Sequence, residues 1–180
     1  QNSRRIRIKP ASVKAFVERL PFELTAAQKR VMQEIAKDFA GEQAMSRLVQ
    51  GDVGSGKTVI AFFAMYCMRE RGYQSILMAP TEILARQHYE TAVKLFPAEE
   101  VVCLTGALTA KKKNDLCGRI LDGSVKIVIG THALLYGDIS FQNLGLIITD
   151  EQHRFGVKQR AALSGGRQDV HTLIMSATPI

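Results

Sequence analysis

The chain has 180 residues, 46% of them hydrophobic and 23% charged, which fits one globular domain and excludes a disordered chain. The longest apolar run, residues 59–68, is too short for a membrane-spanning helix, which takes about 20 residues, so we expect no membrane partner and a cytoplasmic location. Lysine and arginine outnumber acidic residues by 24 to 17, but eight of these basic residues lie within residues 1–30, and charge alone supports nucleic-acid binding only weakly.

Residues 1–20 are predicted to be a basic linker from a missing N-terminal region, because the chain up to Pro10 is polar and shows no apolar periodicity. The first domain element follows it. Thr25-Ala26-Ala27-Gln28 has the spacing of a capping box, in which threonine and glutamine satisfy two free amides at the start of a helix. The pattern predicts an amphipathic helix that runs to about Ala40, within a domain over residues 21–180.

From residue 48 onward, short apolar segments alternate with longer segments that have helical spacing. Strands separated by helices of this length are joined by crossover connections, so the pattern predicts an α/β fold with a mainly parallel sheet and helices on both faces. Functional residues are then expected after the carboxyl ends of the strands. The predicted strands are 48–49, 75–79, 101–104, 125–129, 144–148 and 172–175, and the predicted helices between them are 58–71, 82–96 and 109–121.

The segment Gly51-Asp52-Val53-Gly54-Ser55-Gly56-Lys57-Thr58 matches the phosphate-binding loop pattern G-x-x-x-x-G-K-[ST]. It lies between a predicted strand and a predicted helix, the context that such a loop requires. The glycines let backbone N–H groups point at phosphate oxygens, and the helix adds its positive end. Lys57 is suited to neutralise the outer phosphates, and the Thr58 hydroxyl is a hard oxygen donor suited to Mg²⁺. An ordinary glycine-rich turn is the weaker interpretation.

Two adjacent carboxylates, Asp150 and Glu151, follow the strand predicted at 144–148. Together with the phosphate loop they favour a hydrolytic site, in which Asp150 reaches the Mg²⁺ shell and Glu151 orients and deprotonates the water that attacks the γ-phosphate. Without that loop, two acids at a strand end would be typical of the start of a surface loop.

Three motifs in chain order resemble motifs I, II and III of superfamily 2 helicases: residues 51–58, Asp150-Glu151-Gln152-His153 and Ser176-Ala177-Thr178. Residues 21–25, 79–85, 130–134 and 150–156 are more similar still to the RecG family of bacterial branched-DNA helicases. The transcription-repair coupling factors are similar throughout but usually carry Glu at the position of Gln152, and they remain the alternative. A P-loop small-molecule kinase is a further alternative, although it has no mechanical reason to carry the second and third motifs. Thr149 departs from the family pattern, which usually has an apolar residue there.

The resemblance implies the first RecA-like motor domain of an ATP-dependent DNA helicase that acts on branched DNA in repair and recombination. ATP and Mg²⁺ are the implied cofactors, and the protein is expected to be a monomer. The second motor domain, absent from this chain, and a DNA-binding wedge are expected from the rest of the parent chain. Because the second domain supplies arginines that stabilise the transition state, we expect the first domain alone to bind nucleotide weakly and hydrolyse little.

Matching positions also receive roles from the resemblance. Gln28 corresponds to a glutamine that reads the adenine edge, although the capping box explains it equally well. Residues that follow three predicted strands correspond to motifs that track the DNA backbone, and small hydroxyls and exposed amides suit that contact. Helix capping is the alternative for Thr81. These positions are Pro80, Thr81, Thr105, Gly106, Gly130, Thr131 and His132. The positions expected to couple the γ-phosphate state to DNA grip are Gln152, His153, Ser176, Ala177 and Thr178.

The remaining reactive side chains show no clustering. Three cysteines, Cys67, Cys103 and Cys117, fit neither a disulfide framework nor a zinc site and are predicted to be reduced, mostly buried thiols. His88 and His171 lack acidic or cysteine partners at ligand spacing and are assigned to packing or surface. Phe22 is expected to be buried in the core rather than stacked on a base.

Overall fold

The computed structural model describes residues 6–41, 44–50, 55–131, 139–150 and 170–176, and it describes only the backbone at residues 50, 55–57, 150 and 176. Among the described helices, none is both long and apolar enough to cross a membrane. The helices are α1 (Pro10–Glu18), α2 (Ala26–Phe39), α3 (Ser55–Glu70), α4 (Glu82–Leu95) and α5 (Ala110–Leu121), with a short 3₁₀ turn at Ala98–Glu100. The strands are β1 (Ser46–Gln50), β2 (Gln74–Ala79), β3 (Val101–Leu104), β4 (Ile127–Thr131), β5 (Leu144–Asp150) and β6 (His171–Ser176).

Three of the helices begin at a threonine cap, because a threonine hydroxyl accepts a hydrogen bond from a backbone N–H that the helix leaves free. Thr25 accepts from the N–H of Gln28 at 3.1 Å, and the Gln28 side-chain oxygen accepts from the Thr25 N–H at 2.9 Å. The predicted capping box is therefore confirmed. Thr81 and Thr109 cap α4 and α5 in the same way, through single hydrogen bonds of 3.2 and 3.1 Å.

All strand pairs of the six-stranded sheet are parallel, and the order across the sheet is β1-β6-β5-β2-β4-β3. This confirms the predicted parallel α/β architecture. The strands contain continuous apolar runs rather than an alternating pattern, because both faces of a parallel sheet are covered by helices. Every side chain of β2 is buried.

Successive residues of β2, β3, β4 and β5 point into two different cores. On one face, Leu77, Ile129 and Ile148 belong to a cluster shared with α1, α2, α3 and α4. On the other face, Ile76 and Val128 belong to a second cluster, to which α5 contributes Leu116 and Ile120. The sheet therefore has helices on both faces, as the sequence predicts.

A buried glutamine joins three segments at the amino end of β2. The Gln74 side-chain nitrogen donates to the carbonyls of Ile120 and Val125, each at 2.8 Å, and its oxygen accepts from the N–H of Asn143 at 2.8 Å. β4 begins at Ile127, two residues later than predicted, and the Val125 carbonyl binds this side chain. The same glutamine lies beside a register shift in the pairing of β2 with β5.

The described part of the segment predicted to be a basic linker packs on the body of the domain. Ile6 and Phe16 are fully buried, and the Ile6 N–H donates to the Phe39 carbonyl at 2.7 Å. The ring of Phe16 meets Phe63 of α3 edge-on, with centroids 5.7 Å apart. The basic residues Arg7, Lys9 and Arg19 flank α1, whereas the helix itself contains a single lysine. Its apolar side chains Val13, Phe16 and Val17 pack against the core.

Candidate functional site

The predicted phosphate loop connects β1 to α3, as its pattern requires. β1 ends at Gln50 and α3 begins at Ser55, so Gly51, Asp52, Val53 and Gly54 lie outside the described residues. Ser55, Gly56 and Lys57 form the first turn of α3, where the backbone alone is described. Thr58, the predicted magnesium ligand, follows in the same helix and is half-buried.

The predicted acidic pair and the third motif also lie at strand ends. Asp150 is the last residue of β5, and Ser176 is the last residue of β6. Buried Thr149, the position that departs from the family pattern, continues β5 up to Asp150 and does not interrupt it. Residues Glu151, Gln152, His153, Ala177 and Thr178 lie outside the described residues.

These three motifs leave one edge of the sheet from three consecutive strands. β6 lies between β1 and β5, with Gln50 opposite Ser176 and Asp150 opposite Met175. Neighbouring strands are about 4.8 Å apart, so the ends of β1 and β5 are separated by about 10 Å. The sheet order therefore places the strand ends that lead into the predicted nucleotide-binding motifs on three neighbouring strands.

The predicted DNA-contacting residues occupy the other half of the same edge. Ala79, which precedes Pro80, lies opposite Thr131, and Leu104, which precedes Thr105, lies opposite Gly130. The carboxyl ends of β2, β4 and β3 are thus adjacent. Because β2 pairs with β5, they border the half of the edge that carries the predicted nucleotide-binding motifs, called here the nucleotide half. His132 lies outside the described residues. Thr81 is exposed and caps α4, so the helix-capping role that the sequence analysis gave as the alternative to DNA contact is observed.

One residue of this half was not singled out from the sequence. The Glu82 carboxylate, in the first turn of α4, accepts a hydrogen bond from the Gly106 N–H at 3.2 Å and thereby joins the segments that follow β2 and β3. The only sequence signal is an acid directly after the Pro-Thr pair, which by itself is typical of any helix start.

The Gln28 side chain is half-buried and engaged in the capping box, so its capping role is confirmed. The capping bond uses its oxygen. Reading of adenine by the same side chain remains a prediction, because the cap alone explains the observed geometry.

A cavity of about 720 Å³ lies between the connection from α1 to α2 and the facing sides of α3 and α4. Phe22 borders it and is 40% exposed, so the expectation that Phe22 is buried in the core is wrong. The ring lies in the connecting segment above the groove between the two helices, where core residues cannot surround it. Thr58 borders the same cavity, which places Phe22 near the first turns of the phosphate-loop helix.

His88 and His171 serve packing, as predicted, and the cysteines are free thiols, although only one of the three is buried. His88 contacts the ring of Phe62, and the buried His171 accepts a hydrogen bond from the Met45 N–H at 2.8 Å. All three cysteines are free thiols: Cys67 is buried, whereas Cys103 and Cys117 are half-buried. Burial raises the pKa of the Cys67 and Cys103 thiols. Within the described ranges, no group of three or more His, Cys, Asp or Glu side chains could hold a metal ion.

Comparison with known proteins gives one family and closely similar relatives. The family model for DEAD/DEAH box helicases matches residues 25–180. The ATP-dependent DNA helicase RecG of Staphylococcus aureus (strain NCTC 8325 / PS 47) is 52% identical over 169 residues, which cover 93% of this chain and 25% of that protein. RecG of Thermotoga maritima is 52% identical over 167 residues, which cover 92% of this chain and 21% of that protein.

A solved structure of RecG bound to a three-way DNA junction superposes with a TM-score of 0.87 and 45% identity, covering 99% of this chain and 24% of the other. The chain thus spans about a quarter of the length of these relatives. The RecA-like fold and the resemblance inferred from the motifs are both confirmed.

Proposed function

Since the chain belongs to the DEAD/DEAH box helicase family, we propose that it is the first motor domain of an ATP-dependent helicase that acts on branched DNA in repair and recombination. The relatives named RecG are ATP-dependent DNA helicases, and one structure of RecG was solved bound to a three-way DNA junction. The single observation that best supports the proposal is the placement of β6 between β1 and β5. It makes neighbours of the three strands whose carboxyl ends lead into motifs I, III and II.

The nucleotide half of the edge would bind ATP and Mg²⁺. Thr58 and Asp150 fit a magnesium ion because a hydroxyl and a carboxylate are hard oxygen donors, and Thr58 lies in the helix that follows the loop. A bound Mg²⁺ supplies positive charge that offsets the phosphate oxygens. Backbone N–H groups of residues 51–56 and the Lys57 ammonium bind the phosphates, and Glu151 accepts a proton from the attacking water.

The other half would hold the DNA backbone through five positions that follow β2, β3 and β4, and through Gly130 and Thr131, the last two residues of β4. Contacts from backbone amides and threonine hydroxyls carry no sequence information, which suits a motor that moves along any sequence. Ser176 ends β6, and the positions Gln152, His153, Ala177 and Thr178 follow β5 and β6 in the sequence. These two strands lie between β1, which leads into the phosphate loop, and β2, which leads into the DNA half. From there these positions can respond when the γ-phosphate leaves and shift the grip on DNA. In this proposal the parent protein is a monomer, whose second motor domain and wedge complete the site.

The proposal is tested by ATP hydrolysis of the parent protein with and without forked DNA. We expect forked DNA to stimulate turnover, and Glu151→Gln to lower it by at least about 10²-fold while ATP binding is retained, because the base is lost and the phosphate contacts are not. Glu90→Gln, which changes an exposed acid on α4, is the matched control and should leave turnover unchanged. Undiminished turnover in Glu151→Gln would refute the role of this base.

Two further measurements test whether the chain is one half of a motor and distinguish the proposed helicase from a translocase of the coupling-factor type. The 180-residue chain alone should hydrolyse ATP about 10³- to 10⁵-fold more slowly than the parent, because the second domain's arginines are missing. Equal rates would contradict the assignment as one half of a motor. A translocase of the coupling-factor type would release stalled RNA polymerase, whereas we expect the parent to regress a model replication fork.

A further inference from the structure

The first turn of α4 contains an acid that accepts one hydrogen bond and forms one exposed ion pair. One oxygen of Glu82 accepts from the Gly106 N–H at 3.2 Å, and the other lies 3.8 Å from a guanidinium nitrogen of Arg86, one turn further along the helix. The carboxylate rests directly on the glycine, since a Cβ atom added at Gly106 would lie 3.0 Å from the same Glu82 oxygen. One carboxylate thus bridges the segments that follow two strands.

The two donors around this carboxylate are the types that bind phosphate. Backbone N–H groups and arginine side chains provide many of the contacts that proteins make to phosphodiester oxygens. The Glu82 carboxylate presents two oxygens to them, as a phosphodiester would. The side chains of Glu82 and Arg86 are 46% and 57% exposed, so a polyanion can reach the pair from solvent. An exposed ion pair of this kind contributes little to stability, so an incoming phosphate can replace the carboxylate as the partner of Arg86 at little cost.

We propose that Arg86 and the Gly106 N–H form a binding slot for one DNA phosphate, and that the Glu82 carboxylate fills this slot until DNA displaces it. The inference rests on the proposed function, in which the ends of β2, β3 and β4 meet the DNA backbone. It adds Arg86 as a contact residue that the motifs do not contain, and it gives Glu82 the role of an internal competitor for the same donors.

Opposite effects of two substitutions follow from this arrangement. Arg86→Ala removes a phosphate contact, so DNA affinity should fall about 3- to 10-fold and the slope of log K against log salt should become shallower by about 0.9. Glu82→Gln keeps an oxygen that can accept from Gly106 but removes the competing charge, so DNA affinity should rise about 2- to 5-fold. In the Arg86→Ala background, Glu82→Gln should give a smaller gain, because the two side chains share one site.

The experiment measures binding of the full-length parent protein to a synthetic forked DNA between about 50 and 200 mM salt. Lys94→Ala is the matched control, because Lys94 is an exposed cation at the opposite end of the same helix. We expect the control to keep the salt slope of the unsubstituted protein. Thermal melting of each variant verifies that the fold is unchanged.

Each outcome decides the question. A loss of affinity in Glu82→Gln, or an Arg86→Ala variant whose salt slope matches that of Lys94→Ala, would overturn the phosphate slot while leaving the proposed function intact. Absence of salt-dependent DNA binding in the unsubstituted parent would instead overturn the proposed function itself.

Discussion

His171 Nδ1 accepts a hydrogen bond from the Met45 backbone N–H at 2.8 Å, within the core, and thereby joins the first residue of β6 to the segment that leads into β1. The next residue, Thr172, donates its N–H to the Met45 carbonyl at 2.7 Å. The Phe39 ring packs edge-on against the imidazole, with centroids 4.9 Å apart. A side chain therefore extends the strand pairing that holds the candidate phosphate loop.

We predict that His171→Leu lowers the free energy of unfolding by about 2 kcal/mol, because the Met45 N–H loses its acceptor inside the core. Urea denaturation of the 180-residue chain measures the change. Asn114→Ala, at an exposed position of α5, is the control and should shift the free energy by less than about 0.5 kcal/mol. A similar small shift for His171→Leu would show that the hydrogen bond is dispensable.

Gln74→Leu should destabilise the chain by about 3 kcal/mol or more, since it removes the partner of two carbonyls and one N–H in a single substitution. The same denaturation experiment measures it. Gln87→Leu, at an exposed position of α4, provides the comparison and should be close to neutral. Equal stability of the two variants would contradict the role of Gln74 in joining β2, β4 and β5.

Two glycines with positive φ should respond differently to alanine. Gly72, at φ +83°, has open space where a Cβ would lie, so Gly72→Ala should cost about 1–2 kcal/mol from backbone strain alone. Gly123, at φ +86°, faces the end of the exposed Gln142 side chain, which can turn away, so Gly123→Ala should cost only about 0.5 kcal/mol more, through the lost Gln142 hydrogen bond to the Asp122 carbonyl. Adding Gln142→Ala should remove this excess. Thermal unfolding of the three variants tests the prediction, and identical costs for both single variants would contradict it.

The buried thiol of Cys67 predicts a loss of stability in alkali. Burial raises the pKa of this thiol in the folded state, so above its unfolded pKa of about 8.5 the unfolded chain loses a proton that the folded chain retains. Stability therefore falls as pH rises, by up to about 1.4 kcal/mol per pH unit from this group.

Urea denaturation between about pH 7 and 10 measures the free energy of unfolding of the unsubstituted chain and of Cys67→Ala. The decrease of this free energy with pH should be less steep for Cys67→Ala. Cys67→Ala should cost about 1 kcal/mol at neutral pH because it leaves a small cavity. Cys117→Ala, at a half-buried position of α5, is the control. Parallel curves for the unsubstituted chain and Cys67→Ala would exclude a contribution from this thiol.

The two roles of Gln28 can be separated by substitution. Gln28→Glu keeps an oxygen for the Thr25 N–H but removes the side-chain donor, so stability should be retained while the preference of the parent for ATP over GTP falls about 10-fold. Thr25→Ala should do the reverse and cost about 1 kcal/mol of stability. Melting temperatures and nucleotide competition measure the two effects. An unchanged nucleotide preference in Gln28→Glu would leave capping as the function of this side chain.

The strands and helices were predictable because each is a local pattern. Strands β2 and β3 are buried on both faces and form short uninterrupted apolar runs, and Thr25 and Thr109 mark helix starts through their own hydrogen bonds. The parallel arrangement followed from the helices between the strands. The order of strands was beyond prediction, because apolar periodicity states which residues are buried but not which strands are neighbours.

The features that the sequence did not reveal depend on contacts between distant residues. The Gln74 side chain bonds the Val125 carbonyl, 51 positions away. Glu82 reaches Gly106 across 24 positions, and Phe16 of α1 packs against Phe63 of α3. The motifs could be located at strand ends from the sequence, and the roles of their residues remain predictions. Their division into two adjacent halves required the sheet order, with β2 beside β5.

The order of strands also has a consequence for biosynthesis. Within the described sheet, β1 pairs with β6 alone, and these strands are separated by more than a hundred residues of chain. The strand β1, which leads into the candidate ATP loop, therefore emerges from the ribosome early and cannot pair with β6 until residue 176 has been synthesised. Such a distant pairing closes late because it must first overcome the entropy of a long loop. A nascent chain released before β6 would have its central strands in place and its nucleotide-binding edge unassembled.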